Sequence, residues 1–290
     1  MSTINIAVLG ATGAVGETML DILAERQFPV GQVFPLASHR SEGKTITFGK
    51  QTLTIQDVAK FDFSQAQIAL FSAGTEASAQ YAPIAAAAGC VVIDNSSCFR
   101  YDDDVPLVVP EVNASCIDSL PPRKIIANPN CSTIQMLVAL KPIYDLAGIE
   151  RINVATYQSV SGSGKSGIHE LANQSANMLN GKPVECETYA KQIAFNVLPQ
   201  IDAFQENGYT REEMKMVWET QKIFNDTSIK VNPTAVRVPV FYGHAEAIHI
   251  ETTDKITVEQ AKKALREAPG IIFVDSPDVP TPTTDAVQHD

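Results

Sequence analysis

The feature that most constrains the fold is a glycine-rich turn near the start of the chain. Residues 4–9 have the pattern of a buried strand, and the turn Gly10-Ala11-Thr12-Gly13-Ala14-Val15-Gly16 leads from it into a helical pattern. In a strand–turn–helix unit of this kind, the glycines let the backbone approach a pyrophosphate at the helix N-terminus. Because the spacing is GxxGxxG rather than GxGxxG, a plain strand-to-helix turn remains an alternative.

Short apolar strands alternate with helical segments through the first 130 residues. Further strands are predicted at 32–37, 68–71, 91–94, 108–111 and 124–127, with a hairpin over 46–55 and an alanine-rich helix over 76–88. This alternation predicts an α/β fold, with a Rossmann-like, doubly wound and mostly parallel sheet in a first domain over residues 1–130.

The pattern changes near residue 151, where the strands become longer and alternate apolar with polar residues, as in 151–158. Such strands predict a mostly antiparallel sheet on which helices pack. Helices are predicted at 170–179, 210–218 and 258–267, the second opened by a capping box. We therefore expect an α+β second domain over residues 131–290, ending in a Pro- and Thr-rich segment without a closing helix.

Composition disfavours several classes of function. The net charge of -11, from 22 basic and 33 acidic residues, disfavours nucleic acid or an anionic membrane as the main partner. The five cysteines are scattered without a CxxC pair, so neither a disulfide framework nor a metal site is predicted. No basic leader precedes the first strand, so a signal peptide is not expected. The longest apolar run carries Pro83 and Gly89 and is too short to span a bilayer. A reducing cytoplasm is the expected location.

The residues after the second strand favour one form of dinucleotide. An NAD enzyme usually carries an acidic residue there for the ribose hydroxyls, whereas this chain has Ser38-His39-Arg40-Ser41, followed by Lys44. A guanidinium with nearby hydroxyls suits a 2′-phosphate, which favours NADP over NAD. A solvated basic turn is the alternative. After the strand at 68–71, small residues Ser72 to Gly74 allow a cofactor to lie close to the backbone.

A cysteine opens the helix that follows the last strand of the first domain. In Asn128-Pro129-Asn130-Cys131-Ser132-Thr133, a turn fixed by proline precedes the apolar run 134–140. Free N–H groups and the positive end of the helix dipole would favour a thiolate at Cys131. A small buried residue near a helix cap is the alternative.

Other candidates stand at strand edges or on a helix. Arg100 follows the strand at 91–94, where ligands bind in open α/β sheets, but an ordinary surface arginine fits equally well. His244 follows Gly243 at a strand edge, as a positioned base would. Glu219 and Lys222 are spaced as a helix-surface ion pair. A thiolate, an imidazole and a nicotinamide together are what oxidation of an aldehyde through a thioester requires.

These stretches resemble the aspartate-semialdehyde dehydrogenase family. The matching segments appear in the family's order and span nearly the whole chain: 10–16, 95–100, 128–133, 158–164, 194–199, 219–222 and 237–244.

The resemblance implies a role for each matching residue. Cys131 is the nucleophile that forms a thioester, His244 is the general acid/base, and Gln158 orients the substrate. Arg237 grips the substrate carboxylate and Glu219 its ammonium group. A phosphate is held by Arg100, Asn130 and Lys222. The implied reaction is reductive dephosphorylation of L-4-aspartyl phosphate to L-aspartate 4-semialdehyde, in the biosynthesis of lysine through diaminopimelate, threonine, methionine and isoleucine.

The resemblance also implies the cofactor contacts and the assembly. NADP is expected to contact Gly10, Thr12, Gly13, Ala14, Val15, Gly16, Ser38, Arg40, Ser41, Ser72, Gly74, Ser161 and Gly162. The second domain is expected to form a homodimer.

The chain departs from the family's pattern in two ways. Ala235 stands where many relatives carry Cys, which leaves the chemistry unaffected. Relatives continue beyond the position of Asp290 through a strand and a helix that returns to the cofactor, so we expect this sequence to be a truncated form.

Two alternative functions follow from the same residues. Reduction of another acyl phosphate, such as N-acetylglutamyl phosphate, is disfavoured by Glu219, because an acetylated amine has no charge to pair. A non-catalytic paralogue that serves as a binding subunit should lack the nucleophile and the base, and this chain has both.

Overall fold

Parallel strands rich in β-branched residues build the first of two units in a computed structural model, which describes residues 3–275. This unit comprises residues 3–108 and 114–129. Its elements are β1 (Ile4–Leu9), α1 (Ala14–Glu25), β2 (Val30–Ala37), β3 (Thr45–Phe48), β4 (Gln51–Thr54), β5 (Gln56–Asp57), β6 (Ile68–Phe71), α2 (Thr75–Ala87), β7 (Val91–Asp94) and β8 (Ile125–Ala127).

The order of the strands places a ligand site beside β1. Six strands pair in parallel in the order β5-β2-β1-β6-β7-β8, while β3 and β4 form a separate hairpin. The order reverses between β1 and β6, and ligands of open α/β sheets bind at the carboxyl ends of the strands at such a point. Ile6, Val8, Leu20 and Val33 form the buried core between β1, β2 and α1.

The second unit, residues 109–113 and 130–275, is built on a smaller sheet. Its elements are α3 (Pro110–Asn113), α4 (Cys131–Ala147), β9 (Arg151–Gln158), α5 (Gly164–Leu179), α6 (Arg211–Phe224), β10 (Lys230–Arg237), β11 (Ala245–Glu251) and α7 (Val258–Glu267). The sheet order is β10-β9-β11, with β9 antiparallel to β11 and parallel to β10. The predicted fold class, a Rossmann-like domain followed by an α+β domain, is confirmed. The second sheet was expected to be mostly antiparallel; of the two strand pairings in its described residues, one is antiparallel and one is parallel.

Two local predictions are wrong. The segment 108–111 was expected to be a strand, but Pro110 begins the short helix α3, since proline fits the first turn of a helix, where no N–H bond is needed. Helix α5 was expected to begin at residue 170, but residues 160–163 form a 3₁₀ turn and α5 begins at Gly164. Residues 109–113 belong to the second unit because α3 packs on α4 and α6.

The Pro- and Thr-rich segment predicted at the end of the chain, residues 277–290, lies outside the described residues. Within residues 3–275, no helix is long and apolar enough to cross a membrane.

Candidate active site

The glycine turn of the first unit is held by close backbone contacts. Gly10 adopts φ +89°, and a Cβ there would lie 2.8 Å from the carbonyl carbon of Ser72. A Cβ on Gly16 would lie 2.2 Å from the carbonyl oxygen of Gly10. Gly13 is the N-cap of α1, so the positive end of the helix faces this turn. The geometry is that of an anion-binding strand–turn–helix unit.

A cavity of about 950 Å³ adjoins the glycine turn. Seven predicted cofactor residues line it: Gly10, Thr12, Gly13, Ser38, Arg40, Ser41 and Ser72. The predicted contacts Ala14, Val15 and Gly16 belong to α1, and Gly74 is the N-cap of α2; none of the four lines this cavity. Ser161 and Gly162 lie in the second unit. His39 and Lys44, which belong to the basic turn after β2 but were not among the predicted contacts, also line the cavity, as does Tyr81.

Arg100 lies in the first unit, in the segment that follows β7. It is buried, and its Nη2 donates to the carbonyl oxygen of Asn95 at 3.0 Å. The segment is anchored by the buried carboxylate of Asp94, which accepts from the hydroxyls of Ser78 at 2.7 Å and Ser96 at 2.8 Å. Burial excludes the interpretation of Arg100 as an ordinary surface arginine.

Cys131 is the first residue of α4, as predicted, and it is exposed. Asn130 caps the helix, because its Oδ1 accepts from the N–H groups of Ser132 at 3.0 Å and Thr133 at 3.4 Å. Although the residue is exposed, neighbouring protein atoms remove hydration from its sulfur and so raise the pKa of the Cys131 thiol. The Glu212 carboxylate raises this pKa further, whereas Ser132 and Arg237 lower it. This raised pKa opposes the thiolate that the helix start was expected to favour, because loss of hydration outweighs the N–H of Ser132, which lowers the pKa.

Three predicted residues meet at one edge of the sheet of the second unit. Gln158 ends β9 and Arg237 ends β10, and the two are partners in the parallel register. His244 immediately precedes β11, whose first residue Ala245 pairs with Tyr157. Because β11 runs antiparallel to β9, its start lies at the edge where the other two strands end. Pairing of the strands thus brings Gln158 and His244, which are 86 positions apart in the sequence, to the same edge of the sheet.

Ser159 fixes the imidazole of His244. Its backbone N–H donates to Nδ1 of His244 at 3.0 Å, and its hydroxyl lies 3.2 Å from the same nitrogen. Ser159 therefore offers Nδ1 a donor when the ring is neutral and an acceptor when Nδ1 is protonated. Burial and the charge of Arg237 lower the pKa of His244, so the ring is neutral near pH 7 and able to accept a proton.

Arg237 is buried against the turn that follows β9. Its Nη1 donates to the carbonyl oxygen of Ser159 at 2.7 Å, while its Nε has no hydrogen-bond partner among the described residues. A Cβ on Gly162 would lie 2.8 Å from Nη1 and 3.6 Å from Nε2 of His244. Gly162 thus touches both side chains, and the unpartnered Nε leaves Arg237 able to bind an anion.

Helix α6 supplies the remaining predicted residues of the second unit. Glu219 is fully buried and accepts from the backbone N–H of Asn130 at 2.7 Å, so it is not part of an exposed helix-surface pair. Lys222 lies one turn further along α6 and is half-buried.

Glu212 and Ser159 contact the predicted site residues but were not themselves predicted from the sequence. Glu212 stands seven residues before Glu219, and this spacing, close to two turns of helix, was a signal that both face the same side. Ser159 offered only its position directly after Gln158.

Comparisons with known proteins agree with this architecture. The model of a semialdehyde dehydrogenase NAD binding domain matches residues 5–120, and that of a semialdehyde dehydrogenase dimerisation domain matches residues 140–290. Aspartate-semialdehyde dehydrogenase 2 of Vibrio cholerae is 66% identical over 282 residues, which cover 97% of this chain and 84% of that protein.

Solved structures show the same similarity in three dimensions. The crystal structure of aspartate semialdehyde dehydrogenase II from Vibrio cholerae, complexed with ASA, has a TM-score of 0.98 and 64% identity, covering 100% of this chain and 86% of the other. The Candida albicans enzyme, solved with NADP, has a TM-score of 0.76 and 26% identity, covering 97% and 85% of the two chains. The chain therefore belongs to the aspartate-semialdehyde dehydrogenase family.

Proposed function

We propose that the chain is an NADP-dependent, phosphorylating aspartate-semialdehyde dehydrogenase that works through a thioester on Cys131. In the biosynthetic direction it converts L-4-aspartyl phosphate to L-aspartate 4-semialdehyde. The observation that carries this proposal is the arrangement in the second unit, where Cys131 opens α4 and Gln158, Arg237 and His244 share one sheet edge. A nucleophile, a base and an anion-binding group are the parts that acyl transfer to a thiol requires.

The first unit fits the proposed cofactor. The close approach of Gly10 to Ser72 leaves no room for side chains where a pyrophosphate would contact the turn. NADP is favoured over NAD because Arg40 and Lys44 line the adjoining cavity and neither forms an ion pair with a described residue. The structure of the Candida albicans relative with NADP supports the same choice. When bound, the reduced cofactor supplies the hydride that reduces the thioester.

The residues of the chain supply the proton transfers and the covalent step. The neutral imidazole of His244 takes the proton of the Cys131 thiol, which the raised pKa of that thiol makes necessary. The sulfur attacks the acyl carbon, the bond from that carbon to the phosphate oxygen breaks, and phosphate leaves. After reduction the carbon–sulfur bond breaks, the aldehyde forms, and His244 returns the proton to the sulfur. The N–H of Cys131, in the first turn of α4, is a donor for the oxyanion.

Substrate recognition follows from the charges. Arg237 pairs with the α-carboxylate and Glu219 with the ammonium group, while Arg100, Lys222 and Asn130 bind the phosphate. Gln158 orients the acyl group beside Cys131. Glu219 discriminates against an N-acetylated substrate, since an acetylated amine has no positive charge to pair with the carboxylate. The product would serve lysine, threonine, methionine and isoleucine synthesis, and the free cysteines favour the cytoplasm as the location.

Phosphate-dependent reduction of NADP with L-aspartate 4-semialdehyde tests the activity. We expect turnover with this aldehyde and little with N-acetylglutamate semialdehyde. Preference for the acetylated substrate would favour the acyl-phosphate alternative, and absence of any turnover would favour a binding subunit.

Cys131→Ala tests the covalent step. We expect loss of turnover by at least about 10³-fold, because the substitution removes the thiol that forms the thioester. Binding of NADP, measured by calorimetry, should remain within a few-fold of the unsubstituted protein. Cys116→Ala, which replaces an exposed cysteine outside the site, is the control and should leave turnover unchanged.

A further inference from the structure

A carboxylate without an assigned role lies among the site residues of the second unit. Glu212 is the second residue of α6 and is only 6% exposed. Its Oε1 accepts from Nδ2 of Asn130 at 2.9 Å and from Nε2 of Gln158 at 3.1 Å. One oxygen atom therefore holds the side-chain amides of two residues that the proposed mechanism uses.

The opposite ends of both amides are also engaged. Oδ1 of Asn130 accepts from the backbone N–H groups at the start of α4, and Oε1 of Gln158 accepts from the Thr156 hydroxyl at 3.3 Å. If either amide rotated by 180°, it would place its oxygen against the carboxylate of Glu212. Glu212, which can only accept while ionised, therefore selects one orientation for Asn130 and one for Gln158.

The charge of Glu212 is balanced inside the fold. Its Oε2 accepts from Nζ of Lys215 at 2.9 Å, and Lys215 also contacts Oδ2 of Asp202 at 3.1 Å. Burial raises the pKa of the Glu212 carboxyl, but Lys215 and the hydrogen bonds from Gln158 and Asn130 outweigh it and hold that pKa below its usual range. Glu212 is therefore ionised at neutral pH, as the two amide contacts require.

Two carboxylates of helix α6 accept hydrogen bonds from Asn130, the residue before Cys131. Glu219 accepts from the backbone N–H of Asn130 and Glu212 accepts from its side chain. The two carboxylates are seven residues, about two helical turns, apart on one face of α6. The first turn of α4, with Cys131 at its start, is thereby fixed relative to α6.

The charge also acts on the reacting groups. The Glu212 carboxylate adds to the loss of hydration that raises the pKa of the Cys131 thiol. It also offsets part of the lowering of the His244 pKa by burial and Arg237. Removing this charge should make the Cys131 thiol more acidic and therefore faster to alkylate, even if the site became less well ordered. The loss of order should instead lower kcat, so alkylation and turnover should change in opposite directions.

We propose that Glu212 is a positioning residue of the active site, which orients the amides of Asn130 and Gln158 through one oxygen while the ammonium group of Lys215 pairs with the other. This assignment rests on the proposed function, because the value of holding those amides lies in the acyl transfer at Cys131.

Glu212→Gln is the direct test. A glutamine cannot present oxygen to both amides and to Lys215, so one contact is lost. We expect kcat to fall on the order of 10- to 100-fold, as for small misplacements of catalytic groups, with KM for the aldehyde changed only a few-fold. Alkylation of Cys131 by iodoacetamide at pH 7.5, followed at the Cys131 peptide by mass spectrometry, should accelerate several-fold.

Two further variants make the outcome decisive. Glu212→Asp keeps the charge but withdraws the oxygens, and should lower kcat without accelerating alkylation. Asp202→Asn leaves both amide contacts in place and should keep kcat within about twofold of the unsubstituted value. If Glu212→Gln left kcat unchanged, or lowered it with no faster alkylation of Cys131, the proposal would be overturned; the same holds if Glu212→Asp kept full kcat.

Failure of the proposed function has a different signature. The unsubstituted protein would then show no phosphate-dependent reduction of NADP with aspartate semialdehyde. The alkylation rates would still report whether the charge of Glu212 controls the Cys131 thiol.

Discussion

At the level of single residues, two contacts from Ser159 to Nδ1 of His244 favour different protonation states of the imidazole. The Ser159 hydroxyl, 3.2 Å from Nδ1, is the acceptor available to that nitrogen when the imidazole is charged, and it also contacts the hydroxyl of Ser161 at 2.9 Å. The backbone N–H of Ser159 favours the neutral ring instead. Both contacts act on an imidazole whose pKa is lowered by burial and by the charge of Arg237.

Ser159→Ala should lower the pKa of His244. The substitution removes the acceptor and keeps the N–H donor, so the charged imidazole is destabilised and the pKa of His244, already lowered by burial and Arg237, falls further. Because the reaction needs the neutral ring, the acidic limb of the kcat/KM profile should shift to lower pH, by up to about one unit. Ser166→Ala, an exposed serine of α5, serves as control; an unshifted limb in Ser159→Ala would contradict this role for the hydroxyl.

At the level of elements, α6 is the helix on which the site of the second unit depends. It carries Glu212, Glu219 and Lys222, and its first turn is fixed by a complete capping box. Thr210 is buried, its hydroxyl accepts from the Glu213 N–H, and its own N–H donates to Glu213 Oε2 at 2.7 Å. The cap therefore determines the position of Glu212, which lies between its two members.

Thr210→Ala should weaken both stability and catalysis. Loss of an N-cap hydroxyl costs about 1 kcal/mol of unfolding free energy, and fraying of the first turn should displace Glu212 and lower kcat several-fold. Thr257→Ala removes the equivalent cap of α7, a helix without predicted site residues, and should lower stability alone. Urea unfolding together with kcat separates the two; equal kcat values in both variants would argue against the link between cap and site.

At the level of the whole molecule, the sheet of the second unit has one face that no element of residues 3–275 covers. Ala155 and Tyr157 of β9 and Ala247 of β11 point away from the buried side, and the side chain of Tyr157 is 47% exposed. The match of residues 140–290 to a dimerisation domain supports a second copy of the chain as the partner of this face.

Ala247→Arg tests that assembly. A charge on the open sheet face should separate the copies, so light scattering should give twice the chain mass for the unsubstituted protein and the single-chain mass for the variant. Ala87→Arg, at an exposed alanine of α2, is the matched control and should remain dimeric. A single-chain mass for the unsubstituted protein, or a dimeric Ala247→Arg, would contradict the proposed interface.

The sequence by itself determined the elements and their class. The strands at 4–9 and 151–158 and the helix at 258–267 have the predicted bounds, because alternation, helical periodicity and capping residues act over a few positions. The same local signals predicted Cys131 at the start of a helix. They failed at 108–111, where apolar residues around Pro110 fit a short helix as well as a strand.

Only the tertiary structure decided which side chains meet and how they are charged. Glu212 reaches Asn130 across 82 positions and Gln158 across 54, and Ser159 reaches His244 across 85. No local pattern encodes such contacts, since they arise when strands pair and helices pack. The protonation of Cys131 was decided in the same way. The helix start favours a thiolate, but loss of hydration and a carboxylate from α6 raise the pKa of the thiol.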